Sequence, residues 1–143
     1  MKPKALVILQ ALMWFVCAFH IVVGAGLNLF PELPRVMADW YGATVKDWSG
    51  EFMYILKPLG AFMFALGVMA AGTALAPLNH RIVIYGFATL FVCRALQRLV
   101  FAAEIQDVFG ITASRNFGNA VFFFVLAALL VVFERLASAS ARE

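Results

Sequence analysis

Charged residues are scarce in this sequence. Asp, Glu, Lys and Arg together make up 13% of the chain, about half the share that soluble globular domains carry. Hydrophobic residues reach 64%, against roughly 45–50% in a soluble domain. A soluble chain of 143 residues cannot hide that much apolar surface, so the composition predicts that lipid is the solvent for much of it.

Several patterns that carry chemistry are also missing. Cys17 and Cys93, the two cysteines, form no CxxC pair and fall in apolar segments, which argues against a thiol–disulfide enzyme. His20 and His80 are far apart in the sequence, no cluster of His, Cys and acidic residues has metal spacing, and no serine or cysteine has the context of a nucleophile. No basic run accompanies the net charge of +3, so nucleic acid is not predicted as a partner. We therefore predict a protein that is not an enzyme and has no metal and no cofactor.

Four long apolar segments are present instead, and each is long enough to cross the bilayer as a helix. They are predicted over residues 5–30, 51–76, 82–104 and 116–134. The 31–50 connection holds Trp and Tyr residues typical of the membrane interface, and within it residues 34–41 fit a short amphipathic helix. Because the later connections are short, the sequence predicts one domain over 1–143, an all-α integral membrane four-helix up-down-up-down bundle.

Lysine and arginine residues near the segment ends predict the orientation. With both termini in the cytoplasm, more of them face inward than outward, as the positive-inside rule requires. The inner set is Lys2, Lys4, Arg81, Arg135 and Arg142, and the outer set is Arg35, Lys46 and Arg115. The first apolar run has no convincing cleavage site and is interpreted as a retained helix. We therefore predict a multi-pass protein of the bacterial inner membrane.

Polar groups interrupt the third apolar segment. Arg94, Gln97 and Arg98 fall within an arc of about 100° on a helix, with Glu104 beside it. A charged side chain in a bilayer costs at least ~2.5 kcal/mol on insertion scales, so it faces protein or a water-filled cavity and usually has a partner. The run therefore predicts a polar site at this helix.

The second segment supplies charges at a similar depth. Glu51 is predicted at the outer rim and Lys57 about 9 Å deeper along the helix. The two segments together predict a polar pocket between them, open to the outside and roofed by the interfacial loop with Trp40, Tyr41 and Trp48. His20, alone on the first segment, is included as a candidate, although a buried core histidine is the commoner case.

Two main interpretations of this pocket remain open. The charges either pair with one another as interhelical ion pairs, or their surplus positive charge holds a small anionic or carbonyl-bearing ligand, for which the planar donor fork of arginine is suited. A permeation path is a third interpretation. The inner half of the segments offers almost no polar residues to line an exit, which argues against it.

The order of several features along the chain resembles that of a known group of proteins. A first helix that stops at Pro31, a segment that closes in Trp-Tyr-Gly, Glu51 opening a glycine-spaced helix with Gly60, and Arg94 in the third helix are the matching points. In these points the chain resembles small bacterial four-helix membrane proteins of the DoxX-like and DUF4345-like kind, over most of its length. The resemblance implies the membrane fold and no particular activity. Its pattern does not include Lys57-Pro58, Arg98 and Glu104.

Two functional hypotheses follow. The leading one is a non-catalytic accessory or structural subunit of a larger bacterial membrane complex. The chain is small, lacks soluble domains, and offers an aromatic outer loop and a fourth segment without polar groups over 120–133. The alternative is a stand-alone binder or carrier of a small anionic, lipid or quinone-like ligand in an outer-leaflet pocket. Membrane lipids and other membrane subunits are the expected partners.

Overall fold

The computed structural model of the chain describes residues 4–141, and within that range it is helical without strands. The helices are α1 (Lys4–Leu29), α2 (Leu33–Tyr41), α3 (Gly50–Leu75), α4 (Arg81–Val100), α5 (Ala102–Phe109) and α6 (Ala113–Ser140), with a 3₁₀ turn at Pro77–Asn79 between α3 and α4. Four of them, α1, α3, α4 and α6, are long and apolar enough to cross a membrane. The predicted all-helical fold class is confirmed. Lys2 and Arg142, which entered the predicted orientation, lie outside the described residues.

The third and fourth helices differ from their predicted bounds. One helix was expected over 82–104, but α4 ends at Val100 and Phe101 (φ −100°, ψ 27°) separates it from α5. Just before this break, the buried side chain of Asn116 donates a hydrogen bond to the carbonyl of Arg98 (2.6 Å), which gives that carbonyl a partner outside the helix. The fourth helix continues past residue 134 to Ser140, because Glu134 and Ala137 are both buried against the bundle.

The first long pair consists of α1 and α3, which run antiparallel at close range. Gln10 donates to the carbonyl of Ala74 near one end, and Asn28 donates to the carbonyl of Lys57 near the other, both at 3.1 Å. Between these contacts Gly24 faces Gly60, and a Cβ built on Gly24 would lie only 2.7 Å from the Gly60 carbonyl oxygen. Small residues let membrane helices approach this closely, so the glycine spacing sets the distance between α1 and α3.

The second pair consists of α4 and α6, also antiparallel. Tyr85 bonds to Glu134 at one end and Arg98 to Asn116 at the other, and the rings of Phe91 and Phe123 stack between them. The main core is formed by α1, α4 and α6 with the small residues of α3, and it includes the fully buried Leu9, Met13, Ile84 and Leu130. In contrast, α3 and α4 make few contacts with each other. This leaves room between α3 and α4.

Candidate functional site

A cavity of about 820 Å³ occupies the space between α3 and α4. The helices α1, α2 and α5 and the segment that follows α2 also contribute to its walls. Most of the lining side chains are aromatic or aliphatic, such as Phe19, Phe52, Leu59 and Met63. Four charged or amide side chains also line it, all from α4 and α5: Arg94, Gln97, Arg98 and Glu104. The cavity is therefore apolar over most of its surface and cationic along one wall.

Of the candidate site residues predicted from the sequence, some line the cavity and others lie outside it. Tyr41 and Trp48 line the cavity together with the four polar residues of α4 and α5. Glu51 and Lys57 are exposed on α3 and do not line it. His20 is buried in α1, hydrogen-bonded with the carbonyl of Val16 (2.8 Å) and packed edge-to-face against Phe87, and it does not line the cavity. His20 is therefore placed as a core residue.

Ion pairs between these charges, one of the two interpretations that the sequence left open, are not formed within residues 4–141. In that range the acids that pair with arginine are Glu32 and Glu134, and neither belongs to the candidate set. The reason is geometric, because Glu51 lies exposed on α3 and the break at Phe101 places Glu104 on a separate helix. The two arginines of the cavity are instead held by aromatic rings and, for one of them, by an amide.

Arg98 is held by three contacts. Its Nη1 donates to Oδ1 of Asn116 (2.9 Å), while Nδ2 of the same amide donates to the carbonyl of Arg98. Its guanidinium carbon also lies 5.0 Å from the ring centroid of Tyr41, within cation–π range. Arg98 thereby links α4 to α6 and to α2. Sequence reasoning missed Asn116 as its partner, although both residues fall at the outer ends of neighbouring segments.

Replacing Asn116 with alanine tests this link. We expect a loss of about 1.5–3 kcal/mol in the free energy of unfolding, because the variant removes a hydrogen bond to a charged group and leaves the Arg98 carbonyl without its side-chain donor. The measurement is an unfolding titration in mixed micelles followed by far-UV circular dichroism. The control is Asn79→Ala, at an exposed asparagine. Equal midpoints for the two variants would contradict the assigned link.

Arg94 is held differently. Its guanidinium carbon lies 5.0 Å from the ring centroid of Phe123, and the residue is exposed to the cavity side of α4. Within the described part of the chain it has no hydrogen-bond or ion-pair partner. The stacking fixes one face of the guanidinium and leaves its donor edge directed at no protein acceptor among these residues.

The roof of the cavity is tied to its walls. Arg115 of α6 donates to the carbonyl of Trp40 (2.6 Å), and the backbone N–H of Thr44 donates to the carbonyl of Phe109 at the end of α5 (2.7 Å). Between them Gly42 adopts a positive φ of 68°, which lets the chain turn sharply after α2. The chain on both sides of Tyr41 and Gly42 is therefore held to α5 and α6, which keeps Tyr41 at the cavity.

A smaller side pocket of about 230 Å³ adjoins the cavity and shares Phe19, Met37 and Tyr41 with it. Trp40 lines this side pocket and not the main cavity. Asn119 also lines it, and its buried Nδ2 has no hydrogen-bond partner in the portion of the chain described. A buried amide N–H normally donates a hydrogen bond. The Asn119 amide therefore offers a free hydrogen-bond donor to a molecule bound in the side pocket.

A second polar cluster lies at the opposite end of the α4–α6 pair. The side chain of Glu134 is 0% exposed, accepts hydrogen bonds from Tyr85 (2.6 Å) and Ser138 (2.8 Å), and forms an ion pair with Arg81. Sequence reasoning interpreted Glu134 as the end of the fourth helix and missed this cluster. A usable signal was present, because Arg81 and Tyr85 are four residues apart on one helix, as are Glu134 and Ser138 on the other.

No family model, no curated protein and no solved structure matches the chain. Membership of the DoxX-like or DUF4345-like kind therefore stays a prediction from the residues that carry the resemblance.

Proposed function

We propose that this protein is a multi-pass protein of the bacterial inner membrane that binds an amphiphilic ligand in the cavity between α3 and α4. The observation that carries the proposal is the cavity itself, with apolar walls and two arginines along one side. Ligand pockets in proteins have volumes of roughly 300–1,000 Å³ and combine hydrophobic walls with a few placed polar groups. Such a site orients a ligand and needs no catalytic chemistry.

Large apolar side chains on the outer surface support the membrane placement. Ile82, Leu75 and Val100 are 81%, 73% and 73% exposed, and each lies on one of the four long apolar helices. In water such surfaces cause aggregation, whereas lipid covers them without cost. The antiparallel pairs α1–α3 and α4–α6, joined by the short turn after α3, support the up-down-up-down arrangement with both termini on one side of the membrane. The distribution of lysine and arginine residues favours the cytoplasm for that side.

Access from the bilayer is the second support for an amphiphilic ligand. Several apolar residues that line the cavity are also about half exposed, among them Leu59 (46%), Phe101 (50%) and Val108 (50%). The cavity is therefore open to its surroundings, which include lipid in the proposed placement. An amphiphile that moves in from the bilayer keeps its tail against apolar side chains and brings its head group to the α4 wall.

Filling the cavity tests the proposal. We expect Met63→Trp, at a half-buried position that lines the cavity, to lose the amphiphile that native mass spectrometry detects on the wild-type protein after mild extraction. The matched control is Met69→Trp on the same helix, whose side chain is 51% exposed and does not line the cavity. Equal ligand retention by both variants, or a wild-type protein that binds no amphiphile, would overturn the proposal.

The accessory-subunit hypothesis rests on the small size and apolar surface of the chain and stays a prediction. The same extraction tests it, because further subunits that co-purify with a protein whose cavity is empty would favour that role over ligand binding.

A further inference from the structure

The two arginines of the cavity are not equivalent. Both line it from α4, one helical turn apart, and both stack on an aromatic ring at 5.0 Å. Arg98, however, also donates to Asn116 and lies beneath Tyr41 at the roof. Its guanidinium is already engaged in holding α4, α6 and α2 together. A ligand that took Arg98 as its main partner would have to compete with these contacts.

Arg94 has no such engagement. Within residues 4–141 its guanidinium meets neither a hydrogen-bond acceptor nor a carboxylate, only the face of Phe123. A charge at membrane depth faces protein or a cavity and is normally paired, and a guanidinium presents its donors in a planar fork that matches carboxylate and phosphate. The ring contact leaves this fork free to turn toward the cavity.

The local charge favours an anion over a neutral acceptor. The cavity lining holds two guanidinium groups and one carboxylate, Glu104, which leaves a net charge of +1. Glu104 forms no ion pair in the described range. One monoanionic head group at Arg94 brings the lining to neutrality. A neutral quinone or ester leaves the positive charge uncompensated in apolar surroundings, which is costly.

We propose that the ligand is a monoanionic amphiphile whose carboxylate or phosphate head group is bound by the donor fork of Arg94, with Arg98 as a positioning residue that holds the roof and the α4–α6 contact. This inference rests on the proposed function and names the ligand class of that site. Gln97, three residues after Arg94, lines the same wall and offers the head group a further amide donor.

A matched pair of probes tests the head-group charge. The protein is placed in nanodiscs of phosphatidylcholine, and binding of oleic acid in its ionised form is compared with binding of methyl oleate, which has the same chain and no charge. We expect the wild-type protein to bind oleate about tenfold more tightly than the ester, as a charge-assisted hydrogen bond supports. Lysophosphatidylglycerol serves as the phosphate-bearing probe and shows which head group the site prefers.

Variants then separate the two arginines. Arg94→Gln should reduce the oleate-to-ester ratio to about one, and Arg94→Lys should keep part of it, because the charge remains while the fork is lost. Arg98→Gln should weaken binding of both probes and lower the thermal midpoint, yet keep the ratio. Lys4→Gln, at an exposed lysine of α1 outside the cavity lining, should change neither.

Each negative result of these binding measurements overturns a different part of the proposal. Equal binding of oleate and methyl oleate by the wild-type protein overturns the anionic head group and leaves the proposed function standing. A preference for oleate that survives Arg94→Gln overturns the role of Arg94. If the wild-type protein binds none of the three probes, the proposed function fails together with the inference. The comparison on the wild-type protein requires no variant to fold, so the head-group proposal is tested in every case.

Discussion

Replacing Glu134 with alanine lowers the free energy of unfolding by about 3 kcal/mol, the largest effect that we expect from removing one side chain. Breaking a buried pair by removing one partner typically costs about 3–5 kcal/mol. The lower end applies because the side chain of Arg81 is 40% exposed and is partly rehydrated when Glu134 is absent. Tyr85 and Ser138 lose their acceptor in the same variant. The α4–α6 pair therefore loses its contact at this end.

An unfolding titration in mixed micelles, followed by far-UV circular dichroism, measures this effect. Glu51→Ala is the matched control, since Glu51 is exposed and forms no ion pair among the residues described. Glu134→Gln keeps the size and one acceptor oxygen, so it should cost less than alanine. If Glu134→Ala unfolds at the same denaturant fraction as Glu51→Ala, the cluster does not stabilise the bundle.

Replacing Gly24 with alanine separates α1 from α3 and costs about 1–3 kcal/mol, the range observed when a well-packed contact is overfilled. A Cβ at Gly24 would lie 2.7 Å from the carbonyl oxygen of Gly60 and 2.8 Å from the Cα of Phe64. Both atoms belong to the backbone of α3, so no side chain can rotate to make room. The helices must move apart, which also shifts the α3 wall of the cavity.

Gly72→Ala on α3 is the control for this prediction. A Cβ at Gly72 meets nothing within 4 Å, so the variant should keep its stability or gain up to about 1 kcal/mol from the helix propensity of alanine. Both variants are measured by the same titration, and oleate binding is recorded alongside. Equal stabilities of Gly24→Ala and Gly72→Ala would show that the close approach of α1 and α3 is not a constraint.

The Glu134 cluster and the cavity lie toward opposite ends of the α4–α6 pair. The Glu134 cluster holds α4 to α6 at the end that the proposed orientation places in the cytoplasm, whereas the cavity opens near the other end, where Arg98 and Asn116 meet. Between them, the stacked rings of Phe91 and Phe123 continue the contact. The α4–α6 pair, packed along its length, therefore carries Arg94 on one wall of the cavity, and α3, which contacts α4 little, forms the opposite wall.

Much of the helical framework follows from the sequence alone, because helix formation in apolar segments is governed by local composition and period. The sequence predicts the four long segments, the end of the first one before Pro31 and a short helix that ends at Tyr41. The sequence also predicts that Arg94, Gln97 and Arg98 share one face of their helix. Spacings of three and four residues place side chains on the same face whichever helices pack nearby.

Only the tertiary structure decided which groups meet. Whether Arg98 pairs with Glu104 or Asn116, and whether Glu134 ends a helix or lies buried beneath Arg81 and Tyr85, depends on contacts between residues that are far apart in the chain. The break at Phe101 comes three residues after Arg98, whose carbonyl accepts a hydrogen bond from a side chain of α6, a contact that the local sequence does not show. Local period determines the face that a residue occupies on its own helix, whereas the packing of the helices determines what that face touches.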